Sequence, residues 1–209
     1  MVRCYEPEDT ALLKDAVDRS LDHLRPWMPW TPDAPEPLDD VYERLRVFRA
    51  QYDRDENWIM GVFLPDESRQ VGGTGLHPGR EGEGGIEIGY FVAADAAGNG
   101  YATEVAAVLT RVAFACFDFD RVVIRVDPTN VTSDRIPGKL GFTKEATLRR
   151  RLPQKTGSDL RDANIWTLFR AELAGSPVER YPFAAYDALG RELARSNRVV
   201  PPRRRRPGR

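Results

Sequence analysis

Residues 84–103 read GGIEIGYFVAADAAGNGYAT. Ile86, Ile88, Tyr90 and Val92 alternate with smaller or polar neighbours, the period of a half-buried or central strand. The pattern breaks into a run of small residues and restarts as a helix at about Gly100, YATEVAAVL. A strand feeding a glycine-bearing turn that opens a helix makes an anion site. Backbone N–H groups and the positive end of the helix converge there, and glycine admits a phosphate with no Cβ in the way. An ordinary strand–loop–helix connection has the same pattern, so the stretch needs support from the rest of the chain.

Before it, residues 58–64 (WIMGVFL) and 71–77 (VGGTGLH) read as strands, joined by the turn residues 65–68. The glycines of the second suit either close backbone approach by a ligand or a bulge. His77 ends that strand next to Pro78, where it could touch an acceptor; without a partner at readable spacing it reads as a loop histidine. Residues 78–84 (PGREGEG) turn the chain into the central strand, with Glu81 and Glu83 solvated. Residues 8–24 and 38–52 carry apolar residues at helical spacing, Leu12, Leu13, Ala16, Val17, Leu21 and Leu24 in the first. Between them the prolines of RPWMPWTP, residues 25–32, forbid a helix. They hold Trp27, Met28 and Trp30 in an irregular segment that either lines a pocket mouth or lids the core. Residues 2–5 read as a short first strand.

After it, residues 100–117 carry Val105, Val108, Leu109, Val112, Ala113 and Cys116 toward a sheet. Cys116 therefore reads as a buried apolar-like residue rather than a reactive thiol. Residues 121–126 (RVVIRV) form a strand, and 131–140 a short helix ending at a C′ glycine, Gly141, with Pro137 expected to shorten or kink it. Residues 142–148 and 163–169 read as a last strand pair. The chain divides into one domain, residues 1–172, and an appendage, 173–209, in which 181–195 are predicted helical and the arginine-rich end is expected to be disordered.

Composition narrows the function. With 209 residues, 41% hydrophobic and 30% charged, the chain can bury a sizeable core. A formal net charge of −1 argues against nucleic-acid binding by the whole molecule. Only the tail PPRRRRPGR offers a route to RNA or acidic partners. Cys4 and Cys116 are the two cysteines, and neither sits at metal-type spacing with His23 or His77. The expectation is a reduced, cytoplasmic compartment with no disulfide framework and no metal. The N-terminus lacks the apolar core of a signal peptide and no apolar run reaches about 18 residues, so neither export nor membrane spanning is expected.

Two spaced motifs carry more than periodicity: AGNGYA at 97–102, directly after the apolar strand, and NVTSDR at 130–135, running on to KLGF at 139–142. In this order they resemble the GNAT superfamily of acyl-CoA-dependent N-acyltransferases. RPWMPW at 25–30, EIGY at 87–90 and RDANIWTL at 161–168 look like the branch containing the ribosomal-protein N-terminal acetyltransferases of RimJ/RimL type. The resemblance covers roughly residues 2–172. It implies an α/β (α+β) fold: a mixed, mostly antiparallel central sheet of six to seven strands, flanked by helices and splayed at the central strand. It implies acetyl-CoA as co-substrate and a primary amine as acceptor, a protein α-amine or lysine, with a small-molecule amine as the alternative. The branch includes dimers. A non-catalytic acyl-CoA-binding module is the competing class.

The resemblance also assigns residues. The amides of Gly98, Asn99, Gly100, Tyr101, Ala102 and Thr103 would bind the coenzyme pyrophosphate. Ala97 stands where the family usually has Gln or Arg, so one side-chain contact is absent. Phe91 and Val92 would offer backbone groups to pantetheine and to the thioester carbonyl. Asn130 would hold the pantetheine arm or else close the DPTN turn, and Arg135 or Lys139 would meet the ribose phosphate. Many members use a tyrosine after the second motif as acid; no tyrosine lies between Tyr101 and Tyr181. Ser133 takes that place as proton donor, or else caps its helix. Glu87, a carboxylate among apolar neighbours, is the candidate base or else one half of an ion pair. Asp162 is a weaker candidate for acceptor binding.

Overall fold

The computed structural model describes residues 1–79, 84–153 and 160–196. Glu81, Glu83, the middle of the loop after residue 153 and the arginine tail lie outside the described residues. Seven strands form one sheet: β1 (Val2–Cys4), β2 (Trp58–Phe63), β3 (Gln70–Pro78), β4 (Gly85–Val92), β5 (Arg121–Val126), β6 (Thr143–Pro153) and β7 (Leu160–Phe169). Their order across the sheet is β1-β2-β3-β4-β5-β7-β6. Every neighbouring pair is antiparallel except β4 with β5. Connecting two parallel neighbours requires a crossover, and α4 (Tyr101–Cys116) supplies it.

Helices cover both faces. The branched residues Ile86, Ile88, Val122 and Ile124 pack with Val105, Leu109 and Ala113 of α4 on one face. On the other, Leu13 and Val17 of α1 (Thr10–Asp18) and Val41 and Leu45 of α3 (Leu38–Asp53) close over Tyr5 and Phe63. Arg170 closes the end of α4, donating from Nη1 to the Phe114 carbonyl in the last turn of the helix and from Nη2 to that of Phe117 just beyond it at 2.8 Å, a basic side chain at a helix C-terminus.

The parallel pair is short. Its register runs Gly85↔Arg121, Ile86↔Val122, Glu87↔Val123 and stops. β4 continues beside β3 to Gly72↔Val92, while β5 continues beside β7 to Val126↔Asn164. From Ile88 onward the two central strands have parted. The direction of the freed groups follows from the ends of β4. Asp120 N–H donates to the Gly84 carbonyl on the β5 side, whereas Ala93 N–H donates to Val71 and Gly79 N–H to Gly85 on the β3 side. By strand alternation the backbone groups of Ile88, Tyr90 and Val92 face the gap, and those of Gly89 and Phe91 face β3. Of the two residues expected to offer backbone groups to pantetheine, Val92 therefore faces the gap and Phe91, being paired with Gly73, does not.

Two sequence expectations need correction. Residues 8–24 are not one helix: a 3-10 turn (Pro7–Asp9) leads into α1, and α2 (Leu21–Leu24) follows separately. Buried Ser20 causes the break. Its hydroxyl donates to the Ala16 carbonyl at 2.7 Å and accepts from the Ala94 N–H at 2.9 Å, tying the helix end to the loop before α4. The predicted helix at 181–195 is instead a hairpin, β8 (Ala184–Tyr186) with β9 (Glu192–Arg195). Asp187 accepts from the amides of Leu189 and Arg191, both at 2.9 Å, and Gly190 takes φ +72°, so turn chemistry overrides helical spacing. The appendage docks on α4: Arg111 donates to the carbonyls of Tyr181 at 2.7 Å and Ser196 at 3.0 Å, and Val178 is fully buried in the main core. Pro137 is accommodated inside α5 (Val131–Lys139), which ends on Gly141 at φ +85°.

Candidate active site

The gap between β4 and β5 opens into a cavity of about 520 Å³. The tryptophan loop contributes Trp27, Met28 and Trp30 to its lining, together with Phe48, Ile59 and Phe91. Trp30 meets Phe91 edge-on at 5.3 Å between centroids. The open choice between pocket mouth and core lid is settled for this loop in favour of the pocket. The polar lining includes Thr74, His77, Glu87, Tyr90, Asn130 and Ser133.

At one end of the gap stands the start of α4. Gly98 and Gly100 adopt φ +82° and +84°, and Gly100 is the N-cap of α4. Left-handed geometry at both turns successive amides toward the helix axis, the arrangement of an anion nest. Asn99 is occupied locally, its side-chain amide donating to Ala96 at 3.0 Å, so only its backbone is available to a ligand. Asp95, the nearest carboxylate before the loop, is held by Arg19 and Arg69, which removes an opposing negative charge. Arg135 lies exposed on α5, outside the cavity lining.

The second motif builds the opposite wall. Asn130 caps α5, its Oδ1 accepting from Ser133 N–H at 3.2 Å. Asp134 takes hydrogen bonds from Asn164 at 2.9 Å and Trp166 at 2.8 Å. That pair of bonds fastens the 130–135 motif to the 161–168 motif, so the two stretches are one structural unit. The Ser133 hydroxyl is thereby held 3.3 Å from Tyr90 Oη. Burial pushes the Tyr90 phenol up to about 12, against the opposing effect of the Ser133 hydrogen bond, so it stays protonated at neutral pH. The family resemblance points to a tyrosine after the second motif; this one comes from β4. Its signal was the shared face of Ile86, Ile88 and Tyr90, which enters the gap once β5 leaves.

Glu87 lines the cavity in an ion pair, its Oε2 2.7 Å from Arg125 Nε. The other cavity carboxylates are also paired: Asp18 with Lys14, Glu36 with Arg44, and Asp127 with Arg161. Asp162 is exposed and outside the cavity lining; its Oδ1 accepts from Arg150 N–H at 2.9 Å, holding the irregular turn of β6 where Arg150 has φ +55°. His77 is a cavity residue and not a loop histidine, directly opposite Glu87 in the β3–β4 register. Gly72 lies at a bulge, since Val62↔Gly72 is followed by Phe63↔Gln70 and Val71 is the extra residue, while Gly73 and Gly75 make room for side chains of the protein and not for a ligand. A Cβ on Gly73 would lie 2.3 Å from the Phe91 ring, and one on Gly75 2.7 Å from the His77 ring. Cys116 is half-buried on α4, its thiol pushed up by burial. Among the described residues no cluster of three or more His, Cys, Asp or Glu has metal-site geometry, and no helix is long and apolar enough to cross a membrane.

A parallel strand pair that parts beside a glycine-started helix defines the framework of an acyl-coenzyme-dependent N-acyltransferase. Residues 1–143 match the Acetyltransferase (GNAT) domain family, and the chain belongs to it. The N-acetyltransferase YoaA of Bacillus subtilis, itself uncharacterized, is 26% identical over 135 residues, covering 65% of this chain and 75% of its own. Two solved structures share the fold. RimJ of Mycobacterium smegmatis, in complex with a CoA disulfide, aligns with a TM-score of 0.75 at 23% identity over 86% of each chain. The ribosomal-protein-S5-alanine acetyltransferase of Vibrio fischeri aligns with a TM-score of 0.73 at 19% identity, covering 82% of this chain and 93% of that one.

Proposed function

We propose that the chain moves an acetyl group from acetyl-CoA to a primary amine, the α-amine of a protein N-terminus. The observation that carries this reading is the parting of β4 and β5 after Glu87↔Val123. It leaves unpaired strand amides facing a cavity lined by the tryptophan loop, Tyr90, Asn130 and Ser133. Pyrophosphate would sit on the amides of residues 98–103. The pantetheine arm would extend β4 as a false strand, pairing with the gap-facing groups of Tyr90 and Val92. Phe91 would contribute its ring to the acceptor wall. The amide NH₂ of Asn130 makes no hydrogen bond among the described residues, which leaves it for the arm. Arg135, exposed on α5, would reach the ribose phosphate.

The amine attacks the thioester carbon, a strand amide in the gap polarises the carbonyl, and the C–S bond breaks to a thiolate. Ser133 protonates that sulfur and Tyr90 stands behind Ser133. Glu87, already paired with Arg125, serves best as a negative charge that draws the ammonium into the cavity.

The protein α-amine is favoured over a lysine by the kinship in fold with ribosomal-protein acetyltransferases. A small aromatic amine is the second reading, favoured by the wall of Trp27, Trp30 and Phe91. Calorimetric titration should show acetyl-CoA binding with a Kd of about 1–100 μM. A thiol-release assay should then favour peptides with a free α-amine over Nα-blocked lysine peptides. Turnover of small aromatic amines alone would select the second reading, and binding without turnover a non-catalytic module.

Ser133→Ala is expected to lower kcat about tenfold, because the Tyr90 hydroxyl 3.3 Å away can donate in its place. Tyr90→Phe should change kcat little. The double variant should fall about 100-fold, more than the singles combined, since the two groups share one proton-donating task. Equal effects of the Ser133 single and the double variant would remove Tyr90 from the scheme.

A further inference from the structure

We infer that His77, rather than Glu87, is the catalytic base that takes the proton from the acceptor ammonium. The inference rests on the acetyl-transfer reading above and deepens it.

The geometry is specific. His77 Nδ1 lies 2.7 Å from Asn57 Oδ1. A carboxamide oxygen only accepts, so Nδ1 carries the hydrogen and Nε2 is left with its lone pair bare. The ring does not point to solvent. It lies across the sheet over two glycines, with Nε2 2.7 Å from where a Cβ of Gly75 would stand and 3.2 Å from that of Gly89. Gly75 and Gly89 are register partners, and Gly89 immediately follows Ile88, where β4 leaves β5. The bare nitrogen is therefore carried to the start of the gap. A larger residue at either glycine would push it out.

The surroundings keep this imidazole neutral. Burial is the largest influence and lowers its proton affinity. Glu87 on β4 raises it, and Arg125 on β5 lowers it again. Glu87 is engaged by Arg125 and Asn57 is uncharged, so no free carboxylate is left to hold the imidazolium. Glu87, by contrast, has its Oε2 committed to a guanidinium.

The proton affinity also selects the acceptor. A neutral histidine below its ordinary value of about 6.5 must take a proton uphill from an α-ammonium of pKa about 7.7–8.0 by at least tenfold to thirtyfold. From a lysine of about 10.4 the same step is uphill by about 10⁴-fold. His77 suits an α-amine. The ammonium gives one proton to His77 Nε2, which returns it to water. The freed amine forms the C–N bond and loses its second proton as the C–S bond breaks. One proton reaches the coenzyme sulfur, giving N-acetyl product and free thiol.

The test compares kcat/KM against pH, with a free-α-amine peptide, for wild type, Asn57→Asp, His77→Gln and Glu87→Gln. Each variant is first checked for acetyl-CoA binding by calorimetry. In wild type the acid limb should fall below pH 6.5. A carboxylate in place of the Asn57 oxygen should raise the imidazole and move that limb up by about one pH unit or more. His77→Gln should abolish the limb and lower kcat/KM about 100-fold. A limb indifferent to both changes but lost in Glu87→Gln overturns the inference and makes Glu87 the base. Should wild type bind acetyl-CoA yet acetylate no amine, the transfer reading fails first. The imidazole nitrogens in a ¹H–¹⁵N spectrum then decide alone, using His77→Gln for assignment. An Nδ1–H tautomer with unprotonated Nε2 at pH 7 supports a poised base; the opposite tautomer, or a charged ring, overturns it.

Discussion

Valine at position 100 should abolish acetyl-CoA binding in calorimetry while the protein remains folded. Gly100 is the N-cap of α4 at φ +84°. A Cβ there meets nothing within 4 Å, so packing does not resist the substitution. The resistance is conformational: an ordinary L-residue in the left-handed region costs about 1–2 kcal/mol, and a β-branched one more. The chain escapes by rotating the 98–100 turn toward negative φ, which turns its amides away from the helix axis. Those amides form the proposed pyrophosphate site, and the valine side chain also occupies the approach a phosphate would use. Binding should weaken by more than 100-fold, with a loss in stability of about 2 kcal/mol seen as a modest fall in Tm. Gly175→Val is the matched control. It too has a left-handed glycine, φ +81°, with nothing within 4 Å of an added Cβ, but it lies far along the chain in the appendage. It should cost similar stability and leave binding unchanged. Retained binding in Gly100→Val would remove the helix start from the coenzyme site.

The strands and the α4 start were legible because their signals are local. Alternation gave β4, a glycine pair gave the helix entry, and the order of two motifs pointed to the family. What escaped is what only the sheet brings together. Tyr90 and Ser133 lie 43 positions apart, and nothing in either neighbourhood announces a contact. His77 lost its apparent isolation because Asn57, 20 residues earlier, sits at the end of the neighbouring strand. The glycines of β3 looked like ligand space, yet the Phe91 and His77 rings fill them. The hairpin at 184–195 was misread because helical spacing of a few apolar residues is weak against one aspartate that satisfies two turn amides. The ion pair at Glu87 was open in the sequence, since its partner Arg125 is set by the parallel register.

Arg161→Met should lower unfolding free energy by about 3 kcal/mol and, separately, raise the KM for the amine far more than that for acetyl-CoA. Arg161 is the clasp of the tryptophan loop. It donates to Asp127 Oδ2 at 2.8 Å, to the Pro26 carbonyl at 2.9 Å, and to those of Trp27 and Pro153 at 3.2 Å each. Its side chain is 16% exposed and that of Asp127 7%. Methionine keeps the bulk but strands a buried carboxylate and the carbonyls of Pro26 and Trp27. Removing one partner of such a pair typically costs about 3–5 kcal/mol, and the lower end applies because Asp127 Oδ1 keeps its bonds from Thr129. The double variant Asp127→Asn with Arg161→Met should recover part of the stability, since no unpaired charge remains. It should not recover the KM, because the carbonyls of the loop still lack their donor and Trp27 and Trp30 lose their fixed position on the acceptor wall. Chemical denaturation of the three variants measures the first effect and steady-state kinetics with a peptide acceptor the second. A KM that returns with stability would mean the clasp serves the fold alone.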